Sequence, residues 1–473
     1  MNKKFDVIII GSGIGGLTAG TYLSKKGLKV LILEKHNIIG GYCTSFSRSF
    51  FKFDCGAHLI GSCEEKDSFG NLLNILEIDV DFIRMKPTDR FFFYDMDEIV
   101  EVDNNYKNFI SFLKDKFDVE KNNIDNFFNE ISKTKNPFLI PGLIDKYKDT
   151  TYQKFLDIFF SNKKLMGILS AQCGFLGLPP SEASAISSIF MLKMFMIDGA
   201  FYPKGGAQVL ADSFVAKFKK NGGELLLSTE VKEILTNNGR VKGVKINSGE
   251  TLYSDWVISN IDCRKTFFEL LDVDINKIDP QTSKKLLLFK VGSSSFALFL
   301  GLDNKIDIFA KNGWYYPDYD INKNFKELLY IHIPTNYDCS LVKKTGYQVL
   351  ILYAPFNYEF EKIKDWNKKK NELTKYYLQR LEKVFPGLSQ SIIIKEGATP
   401  KTFERYTNNT HGALYGWKQI PQQVYLNSFP QESAIGGLYL AGHWTLPGGG
   451  IVTVALSGMN AARKILKALN KVI

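Results

Sequence analysis

The chain has only six cysteines in 473 residues, at positions 43, 55, 63, 173, 263 and 339. None forms a Cys-x-x-Cys pair or a zinc-like spacing, which leaves a structural metal or a redox dithiol without support; the six read as free thiols of a cytoplasmic protein. No uninterrupted apolar run reaches the roughly 18 residues of a membrane span. The nearest, 186–202, is broken by Lys193 and Asp198 and reads as a core helix, with a helix dipping into one leaflet as the alternative. Asp6 interrupts the short apolar run at the start and no cleavage-like site follows, so no secretory signal is expected. Internal repeats and low-complexity linkers are also missing. Lysine and arginine exceed acidic residues by 60 to 50, for a net charge of +10. The lysines are scattered, with modest local runs at 217–220 and 368–370, and no nucleic-acid motif accompanies them, so nucleic acid is not an expected partner. The charge suits the anionic face of a membrane, and equally a solvated surface.

What is present is ordinary in bulk and unusual in one respect. Hydrophobic residues make up 45% and charged residues 23%, as in a globular protein, and the length calls for two domains. Phe (37) and Tyr (22) are abundant, enough to line a long apolar cavity as well as a core, although codon bias accounts for much of this.

The strongest local signal is Gly11-Ser12-Gly13-Ile14-Gly15-Gly16, directly after the apolar run 7–10. Gly11 makes the tight turn, Gly13 lets the backbone approach a pyrophosphate, and Gly16 lets the next helix pack on the strand. That helix would offer its N-terminal N–H groups to the phosphates. A second strand, 29–33, ends at Glu34, whose carboxylate suits a ribose. Strand, helix, strand and acid together read as a dinucleotide-binding unit. A second glycine-rich segment, 442–450, precedes the last helix, predicted over 451–469.

Between these ends, 37–60 reads as a long loop and 91–102 as a hairpin turning at 95–97. Residues 107–196 read as mostly helical, punctuated by Pro137, Pro141, Pro179 and Pro180. After a helix to Lys220 come four short strands, 224–227, 231–235, 241–246 and 256–259, expected to return to the nucleotide domain. Residues 285–430 alternate strands (293–300, 348–353) with an amphipathic helix near 368–384. The order is nucleotide part, insert, nucleotide part, insert, nucleotide end, which places a ligand at the domain interface.

Several separated segments then fall in a recognisable order: the first glycine turn, Gly40-Gly41, Phe53-Asp54-Cys55-Gly56-Ala57-His58, Tyr202-Pro203-Lys204-Gly205-Gly206, Val231, Val257-Ile258-Ser259-Asn260, and Ala441-Gly442 through Gly458. Together they resemble the superfamily of FAD-dependent phytoene desaturases, carotenoid isomerases and retinol saturases, itself related to the flavin amine oxidases. The resemblance spans nearly the whole chain and is loosest in the two inserts. It implies an α/β flavoprotein of the two-dinucleotide-binding-fold type. A Rossmann-type FAD-binding domain (1–90, 201–285 and 431–473) would be interleaved with a mixed-sheet and helical substrate domain (91–200 and 286–430), part of it a candidate membrane-facing region.

The resemblance also implies roles. Gly11, Gly13, Ile14, Gly15 and Gly16 would hold the pyrophosphate of FAD, and Glu34 with Lys35 the adenosine ribose. Gly40, Gly41 and Tyr42 would pass the phosphates and ribityl chain, and Val231 would meet the adenine through its main chain. Gly56, Ala57 and His58 would lie beside the isoalloxazine. Gly442, His443, Gly450, Ile451 and Val452 would bring the last helix beneath the flavin. Two positions depart from the pattern. His443 stands where many relatives have an acid for a ribityl hydroxyl. Tyr42 stands where amine oxidases have an arginine, which speaks against that branch.

FAD supplies hydride chemistry while the protein binds and orients, and a conjugated chain delocalises charge, so no strong base is obligatory. No Ser/His/Asp triad or metal cluster is present. His58 and His411 are the ionisable candidates for catalysis, each with a structural histidine as the alternative. Tyr415 and Trp417 are candidates to flank an apolar chain, or to be core. Met191, Met194 and Met196 read as core, or as a lip for lipid access. The expected function is an FAD-dependent oxidoreductase acting on carbon–carbon bonds of a hydrophobic isoprenoid or polyene, by desaturation, saturation or flavin-dependent isomerisation. The alternatives are an amine oxidase-like enzyme for a small polar substrate and an FAD-stabilised scaffold. The electron donor or acceptor is not specified by the sequence.

Overall fold

The computed structural model describes residues 4–133, 141–303, 305–356 and 358–471; the predicted helix break at Pro137 lies outside them. One sheet carries the first glycine motif. Its five parallel strands run in the order Glu224–Leu226, Val30–Leu33, Val7–Ile10, Val257–Ser259 and Leu438–Leu440. Val7–Ile10 and Val30–Leu33 are buried at every position, as a parallel strand covered on both faces requires. The Ile14–Lys25, Ala207–Lys220 and Ile451–Ala468 helices share one apolar cluster on this sheet. A Cβ on Gly458 would stand 1.9 Å from the Gly15 carbonyl oxygen, so glycine there lets the last helix lie directly on the first.

Of the four strands expected to return to the nucleotide domain, two, Glu224–Leu226 and Val257–Ser259, join this sheet. Val231–Asn237 and Arg240–Ile246 instead join Thr251–Tyr253 in a separate antiparallel sheet. The tight turn at Asn238-Gly239 commits them to pair with each other, and a hairpin ribbon does not extend a parallel sheet. The long loop 37–60 contains its own hairpin, Ser45–Arg48 with Phe51–Asp54.

The second large sheet has seven strands, from Ile392–Ala398 at one edge through Ser295–Leu302, Gln348–Pro355, Leu329–His332, Gly313–Tyr316 and Asp89–Phe93 to Glu98–Val102. Alternation gives it two unlike faces. Leu298, Leu300, Ile331, Leu350 and Leu352 pack under Leu373, Tyr377 and Leu381, the i, i+4, i+8 stripe of the Trp366–Val384 helix. The other face carries Phe299, Trp314, Tyr330 and Tyr353 toward the helices of residues 106–192. The Ala185–Leu192 helix is buried throughout, as the core reading of this stretch requires, but the helix expected over 186–202 stops short, and Ala200–Pro203 is a strand paired with Ile60–Gly61 and Phe82–Arg84. Lys193 is paired with Asp198, and that aspartate also accepts from Ser62. Among the described residues no helix is long and apolar enough to cross a membrane, and no group of three or more His, Cys, Asp or Glu is placed to hold a metal. All six cysteines are unpaired.

Candidate functional site

A single cavity of about 1400 Å³ runs between the two large sheets. At one end its wall is main chain. Gly11, Gly13, Ile14 and Gly15 line it together with Gly40, Gly41, Gly442, Gly450 and Ile451. The two glycine segments meet: a Cβ on Gly15 would lie 3.1 Å from the Gly442 nitrogen and 2.5 Å from Asn260 Oδ1. Gly40 bonds back to the Ser12 carbonyl at 3.0 Å. Both helices that start here lack a capping side chain: Gly13 and Gly450 are the N-cap residues, and neither first turn holds an acid. Uncapped N–H groups and two positive dipole ends therefore point into one space, a cradle for a pyrophosphate.

Glu34 lies beside this cradle. One carboxylate oxygen accepts from the Ser12 amide at 2.9 Å and its hydroxyl at 2.7 Å; the other accepts from the His36 amide at 2.8 Å. Lys35, Val231 and His36 continue the wall. Burial, then the nearby Lys265, lowers the pKa of Lys35. Asn260 Oδ1 is buried without a partner while its Nδ2 faces the Gly11 carbonyl, so an unused acceptor sits where the glycine loops meet, suited to a ligand hydroxyl. The donor set, cradle and spare acceptor fit a dinucleotide carrying a polyhydroxy chain. The cavity exceeds the 300–1,000 Å³ usual for a small-molecule site, leaving room for a second molecule.

Tyr42, Asn409 and His443 form a polar strut between these regions. The Tyr42 hydroxyl donates to the Ala413 carbonyl at 2.9 Å. Trp444 Nε1, a donor only, fixes the Asn409 amide by donating to its Oδ1 at 2.8 Å, and His443 Nε2 reaches the same oxygen at 3.2 Å. Burial brings the His443 pKa down to about 4 and pushes the Tyr42 pKa up to about 12, so both are neutral near pH 7.

At the other end the wall is aromatic: Phe175, Phe190, Phe195, Trp314, Tyr330 and Tyr353, with Tyr415 beside them. Gly56, Ala57 and His58 stand where the two ends join. The His58 ring lies 4.7 Å from Tyr330, 5.2 Å from Tyr353 and 5.5 Å from Phe175, centroid to centroid. Its Nδ1 is 3.0 Å from the Gly56 carbonyl, which only accepts, so Nδ1 carries the proton and Nε2 the lone pair. Burial lowers its pKa to about 4. The same desolvation raises the Cys43 and Cys55 thiols to about 12, so neither is a thiolate.

Four expected site residues sit elsewhere. His411 is not in the cavity wall: its Nε2 pairs with Glu361 at 2.7 Å and its ring stacks on Phe360 at 4.8 Å. The positive φ of 53° at His411 turns the side chain away in a tight loop. Trp417 is core, its Nε1 donating to the Trp444 carbonyl at 2.9 Å. Gly16 also stays out of the wall, since a Cβ there would meet the Gly11 oxygen at 2.2 Å; it serves strand–helix packing. Val452 points into the sheet–helix core. Met196 is buried away from the cavity, whereas Met191, itself buried, and Met194 both line it. Sequence reading missed Asp89. It is 2% exposed and accepts from Trp314 Nε1 at 2.7 Å and Gln172 at 2.9 Å, holding the indole that walls the aromatic arm. Nothing local marks it; it reads as one more strand residue.

A fold with an uncapped two-helix cradle, a carboxylate beside it and an adjoining aromatic arm defines a dinucleotide-dependent enzyme of the flavoprotein type. The family model described as "Flavin containing amine oxidoreductase" matches residues 14–466. The chain is 30% identical to the chloroplastic prolycopene isomerase of Daucus carota, over 98% of this chain and 80% of that protein. It is 27% identical to the all-trans-retinol 13,14-reductase of Danio rerio, over 93% and 82%. A solved oxidoreductase from Methanosarcina mazei shares the fold with a TM-score of 0.72 at 19% identity, covering 97% of this chain and 100% of that one. The chain belongs to the flavin-containing amine oxidoreductase family, and FAD is its cofactor.

Proposed function

We propose that this FAD enzyme acts on carbon–carbon bonds of a hydrophobic isoprenoid or polyene, by desaturation, saturation or isomerisation. The observation that carries this reading is the continuity of the glycine-lined cradle with the aromatic arm, which meet at a neutral His58. Bound FAD supplies hydride exchange. The chain's part is to hold and orient. The uncapped helices at Gly13 and Gly450 take the phosphates, Glu34 the ribose, and Val231 the adenine edge. Asn260 and the Tyr42–Asn409–His443 strut position the ribityl end. The aromatic wall excludes water and lays an apolar chain against His58. Residues 1–90, 201–285 and 431–473 form the cofactor part in this reading, and 91–200 and 286–430 the substrate part.

An amine would bring a charge that the arm does not meet. Of the acidic wall residues, Glu182, Glu396 and Glu230 are paired with Lys418, Arg48 and Lys232, Glu34 belongs to the cradle, and Glu269 shares the 265–270 segment with Lys265, which acts on Lys35 beside the cradle. Anaerobic mixing of the FAD-reduced or oxidised protein with long-chain polyenes is expected to yield a changed polyene in the chromatogram. No product in either redox state, together with peroxide formation from amines, overturns the reading.

The same reading puts the protein in the cytoplasm, docked on an anionic membrane face. Leu287, Leu288 and Leu426 are 68%, 67% and 72% exposed, beside the exposed Lys284 and Lys290. The Lys418 amide bonds the Lys290 carbonyl at 2.9 Å, and Lys418 lines the cavity, so apolar tips and lysines stand near an opening. Flotation with phosphatidylglycerol vesicles is expected to carry the protein up, and the Leu287→Ser/Leu288→Ser variant to remain below. Equal flotation of both removes this docking face.

A further inference from the structure

One ring away from His58 stands a histidine with no role so far. His332 closes the Leu329–His332 strand, is 0% exposed, and neither of its ring nitrogens has a hydrogen-bond partner. A neutral imidazole carries one donor and one acceptor, so an apolar residue would fill this site at lower cost. Strand alternation sets His332 on the same face as Tyr330, and His58 lies against that face, 5.8 Å from His332 between centroids. An N–H···N bond near 3 Å between two imidazoles puts their centroids roughly 5 Å apart. A shift of about 1 Å, with the two rings turned nitrogen to nitrogen, would bring an N–H of His332 onto the free lone pair of His58 Nε2.

We propose that His332 is a positioning residue that clamps His58: His332 donates to Nε2 while Nδ1 donates to the Gly56 carbonyl, so the cavity meets the flat face of His58 and neither nitrogen. The other ionisable groups facing the pair are Tyr202, Tyr330 and Tyr353, with Asp54 behind Tyr202, whose hydroxyl donates to it at 2.5 Å. Burial keeps all three tyrosines protonated. The clamped imidazole then exchanges no proton with the cavity, while the tyrosines keep their O–H groups. This consequence rests on the polyene reading. Desaturation removes a hydride and a proton from adjacent carbons, saturation adds both, and cis–trans isomerisation exchanges neither on balance. A clamped His58 neither gives nor takes that proton at the cavity, so it is not the acid or base of a desaturation or saturation.

The test is nitrogen-15 NMR of the full-length, FAD-loaded protein labelled at histidine. His58 is expected to keep the Nδ1–H form with a hydrogen-bonded Nε2, without titrating from about pH 5.5 to 8. In His332→Phe the Nε2 signal moves to that of a free lone pair, and His332→Gln, whose amide also donates, restores it. Flavin absorbance and melting curves confirm that both variants are folded. Polyene turnover falls roughly tenfold or more in His332→Phe, as expected when a positioning contact is lost, and recovers in His332→Gln. Titration of His58 near neutrality, or an unchanged Nε2 signal in His332→Phe, overturns the clamp. An intact clamp signal with no polyene converted sinks the polyene reading instead and leaves the clamp standing.

Discussion

At Gly13, Gly15, Gly41 and Gly442 the cavity wall is main chain, whereas from Phe175 to Tyr353 it is ring after ring of side chain. The first end recognises by what is left out: no Cβ, no capping side chain, no acid in either first turn. The second recognises by what is put in, and each of its rings is set by partners far away in the chain, as Asp89 sets Trp314. One end tolerates almost no added atom. The other should tolerate exchange of rings at a cost in fit, because an apolar chain makes no directional demand.

The sharpest way to break that contrast is to add atoms at the first end. A Cβ on Gly15 meets Asn260 Oδ1 at 2.5 Å and the Val454 oxygen at 3.0 Å, so Gly15→Val is expected to yield protein without flavin, read from the visible absorbance. Trp314→Leu, at the second end, should keep its full flavin content and lose polyene turnover. Flavin retained in the first variant, or lost in the second, would erase the distinction. A smaller effect is expected at Glu34, which holds Ser12 and His36 as well as facing the cradle. Removing an ionised acceptor costs about 1.5–3 kcal/mol, so Glu34→Ala should weaken FAD binding by roughly 10- to 100-fold in titration of the apoprotein. An unchanged affinity would mean the carboxylate serves the loop alone.

The same contrast explains what sequence reading captured. Glycine spacing encodes backbone geometry locally, so the first turn, Glu34 and the 442–450 segment were legible, and the structure brings them to one cavity. Strand pairing is not local. Nothing at 231–246 says that these strands leave the parallel sheet, except the hairpin turn that joins them. The histidines show the limit most clearly. His58 and His411 follow similar small-residue loops in sequence, yet one faces the cavity and the other an exposed glutamate. His332 sits inside an ordinary apolar strand, and only its neighbours in space set it apart.

Asp89 offers the finest probe of the aromatic end, through pH. Burial raises its pKa to about 6 from an ordinary 3.8, against the hydrogen bonds from Gln172, Trp314 and the Arg90 amide, which pull it down. A raised carboxyl pKa means the folded chain binds the proton more tightly than the unfolded one. Its stabilising share is therefore complete below about pH 4 and is lost as pH rises through about 6. Asp89→Asn has no such proton and keeps an acceptor for the indole. Wild-type stability relative to this variant is expected to fall by about 1–3 kcal/mol between pH 4 and 7, given about 1.4 kcal/mol for each tenfold change in proton affinity, measured by denaturant titration at each pH. A flat difference would mean that Asp89 stays ionised throughout, and then Trp314 is held by a charged partner strong enough to make this wall as rigid as the glycine end.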